Sequence, residues 1–502
     1  MSVSPPILHP SPSRASARLA PARLGLIALA LLIILLAWTQ VLAARRGLVS
    51  RRLAGEGGTP LHFLAPEGAT GAPGVVVAHG FSGSSQFMLG FGHVLARAGY
   101  GVMLLDFDGH GSAAGVLDQS GGGLQRNLDA AYAMLAAQPE VDPARIALLG
   151  HSMGSGAVMQ AGIVHGERYA ATVAVSPTGA GVSPERPRNL LLIAGSLEPR
   201  FLDNAWALLA AAGGANDDLA GGRGRALITI PRVEHITILF SGDSHQAALD
   251  WLNRTFGRPP QTAAPDRRVL WYAAHLGGWL LLMLAAAPLL PVGDAPAAAG
   301  RRRWRWLGLP LGVLAATMLV ATLGRLADIG QLGGMLVGGV LGLWFAVLGL
   351  VWLLAGFRVP RPGGRDLLWG LALFAALTVA FGLMAQFVWI PWLLIPARLA
   401  RWPLLALAAL PWLLAAGLAQ QGSSLMGRAG WWLFQMVVIV AGLGLLATVS
   451  PGVGFIVLLM PVIPVILAVM SIAGAVIHRP WSYAIGNALF FGWLLVAVFP
   501  LA

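Results

Sequence analysis

Apolar and polar positions fall along this chain in three regimes. Residues 24–44 form one nearly unbroken apolar run, long enough to cross a bilayer as a helix. From about Arg45 to Asp266, charges return and short apolar runs alternate with Ala-rich helical stretches. After Asp266 the chain is almost continuously apolar. In the middle regime, residues 74–79, 101–106, 145–149, 171–175, 189–194 and 225–230 read as strands. Each is short, apolar throughout and bounded by Gly, Pro or Asp, which fits strands buried on both faces of a parallel sheet. Strands alternating with helices predict an α/β domain over residues 45–265.

In the third regime, residues 266–502, eight spans are expected: 269–292, 306–323, 332–357, 367–390, 404–419, 431–449, 455–477 and 481–499. The run 404–419 is short and contains Pro411, which suggests a re-entrant segment. A tight turn is expected at 450–454, and Pro461 and Pro464 should kink the span that follows it. The predicted fold class is therefore α/β, a mostly parallel sheet flanked by helices, joined to an all-α polytopic transmembrane domain.

Composition sharpens this picture. Only 11% of residues are charged and 57% are hydrophobic, whereas soluble domains carry about 25% charged residues. The net charge of +12 is carried by arginine with no lysine. Much of it clusters at the ends of apolar runs, as at Arg301, Arg302, Arg303 and Arg305. Such clusters set membrane orientation. No basic stripe is interleaved with stacking aromatics, so nucleic acid is not an expected partner. The absence of cysteine excludes a disulfide framework, a thiolate metal site and a Cys nucleophile.

Residues 1–23 are rich in Pro, Ser and Arg and are expected to be disordered. Two readings compete for residues 24–44. Val41-Leu42-Ala43 resembles a signal-peptide cleavage site, while the long leading segment and Arg45-Arg46 favour a retained signal anchor. With the N-terminus in the cytoplasm, the loops bearing Arg301 to Arg305, Arg358 to Arg365, Arg428 and Arg479 all fall on the cytoplasmic side. Arg325, Arg398 and Arg401 fall opposite. That bias is the one the positive-inside rule expects. It predicts an integral protein of the cell (inner) membrane with the α/β domain outside the cytoplasm.

Candidate chemistry centres on Gly150-His151-Ser152-Met153-Gly154. This G-x-S-x-G pattern suits a serine on a sharp strand-to-helix turn, with glycines letting neighbouring backbone approach. Among 65 glycines the pattern alone is weak. Its context is right: a strand candidate ends at Leu149, and a small-residue helical stretch begins at Ser155.

Two further motifs precede it in order. His79-Gly80-Phe81-Ser82-Gly83, after a Val-rich strand, resembles the His-Gly oxyanion loop of α/β-hydrolases. Asp106-Phe107-Asp108-Gly109-His110-Gly111-Ser112 resembles the turn after that family's next strand. The three together make residues 60–255 similar to α/β-hydrolases of the dienelactone-hydrolase and monoglyceride-lipase type. The membrane half resembles no family.

The resemblance implies a serine hydrolase with Ser152 as nucleophile and a triad in the order Ser, acid, His. Glu198, in Gly195-Ser196-Leu197-Glu198, fits the acid, with Asp203 as alternative. His235 follows the last strand candidate and fits the base, with His245 second. The backbone N–H groups of Phe81 and Met153 would form the oxyanion hole. Carboxylesterase or lipase-like cleavage of an ester is expected, with thioester or amide as variants. An acyltransferase using the same triad, or a non-catalytic sensor domain on a membrane transporter or scaffold, are the alternatives. His79 and His110 read as structural, and His93 and His165 as helix-surface residues. No metal-ligand spacing and no dinucleotide or P-loop fingerprint is present, so no metal or cofactor is expected.

Residues 176–188 leave no room for the lid many family members insert. An open mouth is expected, with the membrane or the membrane domain as its cover and an acyl-containing small molecule or lipid as substrate. In the spans, the mid-membrane polar residues are Gln386, Gln435 and Asn487, and no glutamate follows Asp266. An ion-coupled transporter needs an ionisable group near the midplane, so transport is disfavoured. Gly334, Gly338 and Gly342 permit close helix packing, within the chain or in a homo-oligomer.

Overall fold

The computed structural model describes residues 21–118, 122–290 and 303–502. The expectations for residues 1–20, Arg301 and Arg302 lie outside these. The α/β domain is built on eight strands: β1 Leu48–Ala54, β2 Pro60–Pro66, β3 Ala72–Ala78, β4 Gly101–Leu105, β5 Val141–His151, β6 Thr172–Val175, β7 Leu190–Gly195 and β8 Arg225–Ile230. They form one sheet in the order β1-β2-β4-β3-β5-β6-β7-β8. From β4 to β8 all neighbours are parallel. β1 and β2 add an antiparallel edge. The sequence reading finds the six parallel strands and misses these two. β1 reads Leu-Val-Ser-Arg-Arg-Leu-Ala, with Leu48 buried and the rest alternately half-buried and exposed, so its arginines break the apolar run by which buried strands are recognised.

Period-two alternation divides the core. Val75, Val77, Val102, Leu104, Ala147 and Leu149 face one side, and Val76, Ala78, Met103, Leu105, Ile146 and Leu148 the other. Helices α2 (Leu89–Arg97) and α6 (Gly242–Thr255) cover the first side. Helices α3 (Gly122–Ala136), α4 (Met153–Val164) and α5 (Pro199–Ala211) cover the second. Residues 176–189 contain no helix.

Among the described residues, eight helices are long and apolar enough to cross a membrane: Pro21–Ala43, Arg268–Leu289, Trp304–Leu326, Gly338–Gly356, Gly364–Val388, Pro396–Gln420, Met426–Val449 and Pro480–Val498. Pro396–Gln420 runs for 25 residues, so the segment read as re-entrant is part of a full-length helix. In place of a tight turn after Val449, Pro451–Val462 forms a 3-10 helix leading into the α-helix Ile463–Val476. Pro461, lacking an amide proton, interrupts regular α pairing at that junction.

The first helix packs on Arg268–Ala286, whose Gly278 leaves room for the carbonyl of Ala30. Both ends of the α/β domain therefore lead into adjacent helices. Gly334 lies outside any α-helix with φ +72. A methyl group on Gly342 would lie 2.8 Å from Leu405 Cδ2, and one on Gly338 would lie 3.0 Å from Phe499 Cβ. The close packing these two glycines permit is thus within the chain. The three mid-span polar side chains bond locally: Gln386 accepts from Leu393 N–H, and the amides of Gln435 and Asn487 donate to the Trp431 and Tyr483 carbonyls. Hydrogen bonding to the helix's own backbone is the inexpensive way to hold an amide in an apolar bundle.

Candidate active site

Ser152 stands between β5 and α4 with φ +51 and ψ −121. A non-glycine residue in this region is strained and persists only where its surroundings over-determine it. Here they do. The Ser152 N–H donates to the Val175 carbonyl at 3.0 Å. Gly150 and Gly154 are pressed against neighbouring backbone. A methyl group on Gly150 would lie 2.3 Å from the Gly154 carbonyl oxygen, and one on Gly154 2.5 Å from the His79 carbonyl oxygen. No other residue fits either position without moving the turn.

The C-terminal end of the sheet brings two distant side chains to this serine. Glu198 enters at the tip of β7, where it begins α5. His235 lies in the loop after β8. Its Nε2 is 3.0 Å from Ser152 Oγ and its Nδ1 is 2.9 Å from Glu198 Oε2. The His235 ring stacks on Phe201 with centroids 4.1 Å apart, and its carbonyl lies 2.9 Å from His151 Nε2. The other carboxylate oxygen, Glu198 Oε1, accepts from Gly195 N–H at 2.6 Å and from the Ser176 hydroxyl at 2.8 Å. Asp203, the alternative acid, is exposed on α5. His245, the alternative base, is buried on α6 with Nε2 2.9 Å from the Leu239 carbonyl. Sequence order alone leaves both pairs open, and the structure seats Glu198 and His235 at Ser152.

Electrostatics follow from burial. Desolvation holds the His235 imidazole at about 4, with the Glu234 carboxylate opposing it weakly. The ring is then neutral at pH 7. With Nδ1–H donated to the carboxylate, its lone pair on Nε2 faces the serine hydroxyl. Burial raises the Glu198 carboxyl, while hydrogen bonds from the Gly195 amide and the Ser176 hydroxyl oppose that rise by stabilising its ionised form. His151 is pushed to about 3 by burial and the adjacent His235, so no second cation competes. A neutral imidazole so oriented can take a proton from a hydroxyl.

The loop His79 to Gly83 closes the other side. A methyl group on Gly80 would sit 3.0 Å from Ser152 Cβ. Among the described residues the N–H groups of Phe81 and Met153 have no hydrogen-bond acceptor. Asp106 fixes the loop by accepting from Ser85 N–H at 2.6 Å and Ser112 N–H at 2.8 Å. His79 donates from Nδ1 to the Gly80 carbonyl and accepts at Nε2 from Phe107 N–H, a structural role for this histidine. His110 lies with Nδ1 3.1 Å from the Asp108 carbonyl. His93 is not a surface residue. It is buried and its Nδ1 lies 3.1 Å from the Ala44 carbonyl, under the exit of the first helix.

The C-terminal helical half packs against the loops around this site. Phe455 meets Phe81 edge-on at 4.5 Å and Phe499 lies beside it. Trp389 packs near Phe87. The buried Arg398 guanidinium donates to the carbonyls of Gly109 at 2.7 Å, Gly111 at 2.9 Å, Phe499 at 2.9 Å and Val496. Leu501 N–H bonds the Gly109 carbonyl at 2.8 Å. The helices thus clamp the very turn that carries Asp106 and the loop it supports. Ser176, Phe201, Phe455 and Arg398 escape sequence reading. The first two carry no motif, and the others lie hundreds of residues from the elements they touch.

Residues 72–212 match the model of the family described as serine aminopeptidase, S33. Over 142 residues the chain is 34% identical to a dihydrolipoyllysine-residue acetyltransferase component of the acetoin cleaving system from Pseudomonas putida, covering 28% of each chain. It is 32% identical over 163 residues to an uncharacterized protein of Mycobacterium tuberculosis, covering 31% of this chain and 56% of that one. The chain therefore spans less than two thirds of these relatives. Among solved structures it is similar to a dienelactone hydrolase from Anabaena variabilis, at 22% identity and TM-score 0.32, covering 41% of this chain and 97% of that one. It is also similar to an esterase of the bacterial hormone-sensitive lipase family, at 21% identity and TM-score 0.34, covering 48% of this chain and 98% of that one. Its sheet order, its strained strand-to-helix turn and the match over residues 72–212 place the α/β domain of this chain in the α/β-hydrolase superfamily.

Proposed function

We propose that the chain is a membrane-anchored serine hydrolase acting on an ester, thioester or amide through Ser152, His235 and Glu198. The observation that carries this reading is the single imidazole bridging a hydroxyl at 3.0 Å and a carboxylate at 2.9 Å. Ser152 Oγ adds to the acyl carbonyl while its proton passes to His235 Nε2. Glu198 holds the imidazole in the Nδ1–H tautomer and stabilises the imidazolium. The Phe81 and Met153 N–H groups hold the oxyanion, each such donor contributing about 3 kcal/mol to the transition state. His235 then protonates the leaving atom as its bond to the carbonyl carbon breaks. Water repeats the cycle on the acyl-enzyme, returning the serine and an acid. A transferase would differ only in the acceptor of that second step.

The anchoring reading rests on the eight apolar helices and on arginine placement. Arg303, Arg305, Arg358, Arg361, Arg365, Arg428 and Arg479 lie at the helix ends remote from the α/β domain, and Arg325, Arg398 and Arg401 at the near ends. Under the positive-inside rule this puts the catalytic domain outside the cytoplasm.

The test is fluorophosphonate labelling of membranes containing the wild-type chain, Ser152→Ala or His235→Ala. Labelling of the wild type that is lost in both variants is expected. An unlabelled but folded wild type would overturn the proposal.

A further inference from the structure

A cavity of about 120 Å³ lies between the α/β domain and the helical half, lined by the chain neighbours of Phe81 and His235. At its mouth stand Ser82, Phe87 and Ile236. Ser82 follows Phe81 in the loop pressed against Ser152, and Ile236 follows His235 in the chain. Beyond Ser82 and Ser84 the lining is apolar and comes from the membrane helices, among them Phe345, Trp412, Ile439, Leu443 and Phe491. A second cleft, of about 540 Å³, borders the same loop. Phe81 and Met153 line it together with the polar side chains of Asp118, Asp328 and Gln331. The edge-on pair Phe81–Phe455 lines the second cleft, and their chain neighbours Ser82 and Ile456 line the first cavity.

A carbonyl carbon at Ser152 thus stands near an apolar recess and near a mixed cleft that carries carboxylate and amide side chains. Resting on the hydrolase reading above, we propose that the transmembrane helices form the acyl-binding pocket of the enzyme, and that its substrate is a membrane lipid carrying a medium- or long-chain acyl group. The chain lies between the helices, and the polar part of the lipid occupies the cleft at Phe81 and Met153. The lining suits this occupant, since small-ligand sites are walled mainly by apolar and aromatic side chains. A polar substrate would gain nothing from such a wall.

The depth sets a chain length. Phe491 precedes Phe499 by eight residues on one helix, about 12 Å at 1.5 Å per residue. An extended chain advances about 1.2 Å per bond, taking ~3.5 Å for the three bonds of a residue. The recess therefore takes up about ten carbons before a chain must bend or stop.

The experiment measures kcat/KM for p-nitrophenyl esters from acetate to palmitate, with the full-length protein in lipid nanodiscs and active sites counted by fluorophosphonate titration. From acetate to about decanoate kcat/KM is expected to rise about three- to fourfold per methylene, then to level. Ile439→Trp, which fills the recess, should lower the decanoate-to-acetate ratio at least tenfold. Phe491→Ala, which deepens it, should move the optimum to longer chains, a readout available even if the tryptophan variant fails to fold. Leu354→Trp, on a helix face 85% exposed and remote from the recess, should leave the profile unchanged. A flat or falling profile, with acetate still cleaved in a Ser152-dependent manner, would overturn the acyl pocket and spare the hydrolase. Absence of both labelling and ester cleavage would overturn the two together.

Discussion

Glu198→Gln is the sharpest probe of the site, because it changes one atom and leaves the volume alone. Glu198 and His235 expose only 3% and 5% of their side chains, so solvent offers neither a substitute partner. In the native site Oε1 accepts from Gly195 N–H and the Ser176 hydroxyl, and Oε2 from His235 Nδ1–H. A glutamine has one acceptor oxygen. If its NH₂ pointed at Gly195, two donors would meet, and a buried backbone N–H left unpaired costs about 1–3 kcal/mol. The oxygen therefore stays with Gly195 and Ser176, and the NH₂ turns to Nδ1. The imidazole must then carry its proton on Nε2, facing Ser152 Oγ, with no lone pair to take the serine proton. An acid-to-amide change of this kind in a Ser-His-Asp triad lowers turnover about 10⁴-fold, equivalent to ~5.5 kcal/mol. The expected result is a kcat for p-nitrophenyl butyrate reduced about 10³- to 10⁴-fold, with the melting temperature little changed. A folded variant keeping more than a tenth of wild-type kcat would refute the orienting role of Glu198, and Asp203→Asn run in parallel should be silent.

Two further outcomes follow from burial. His235 is held at about 4 in the folded protein, below its ordinary 6.5. The base works when unprotonated, so kcat/KM should stay level from pH 7 down to about 5 and fall toward a midpoint near pH 4; a midpoint near 6.5 would refute the desolvated geometry. Arg398→Met removes the donors to the Gly109, Gly111 and Phe499 carbonyls. A buried carbonyl left without its donor costs about 1–3 kcal/mol, so the thermal midpoint should drop and amide exchange over residues 109–112 should quicken, whereas an unchanged midpoint would show that the clamp carries no stability.

Much of the fold is legible in local pattern. The inner strands announce themselves as apolar runs ended by turn residues, because a strand covered by helices on both faces cannot carry charge. The long apolar helices announce themselves as runs of apolar residues long enough to cross a bilayer. The edge strand β1 hides, since Arg51 and Arg52 are compatible with its half-exposed setting. Ser152 is legible because its turn needs glycine at both 150 and 154, a steric demand written in sequence.

The acid and the base are only partly legible. Chain order narrows them to Glu198 or Asp203 and to His235 or His245, and no local rule chooses further. The choice depends on which loop end reaches the C-terminal edge of the sheet, which only the assembled strands decide. The same holds for Ser176, for Arg398 and for the recess behind Ser82. Each depends on two surfaces far apart in the chain meeting at one place. Sequence by itself determined the two classes of structure, the serine turn and the orientation signal, since these rest on periodicity, glycine sterics and charge. Tertiary packing alone decided which carboxylate and imidazole lie beside that serine, and that helices of the C-terminal half pack against its loops.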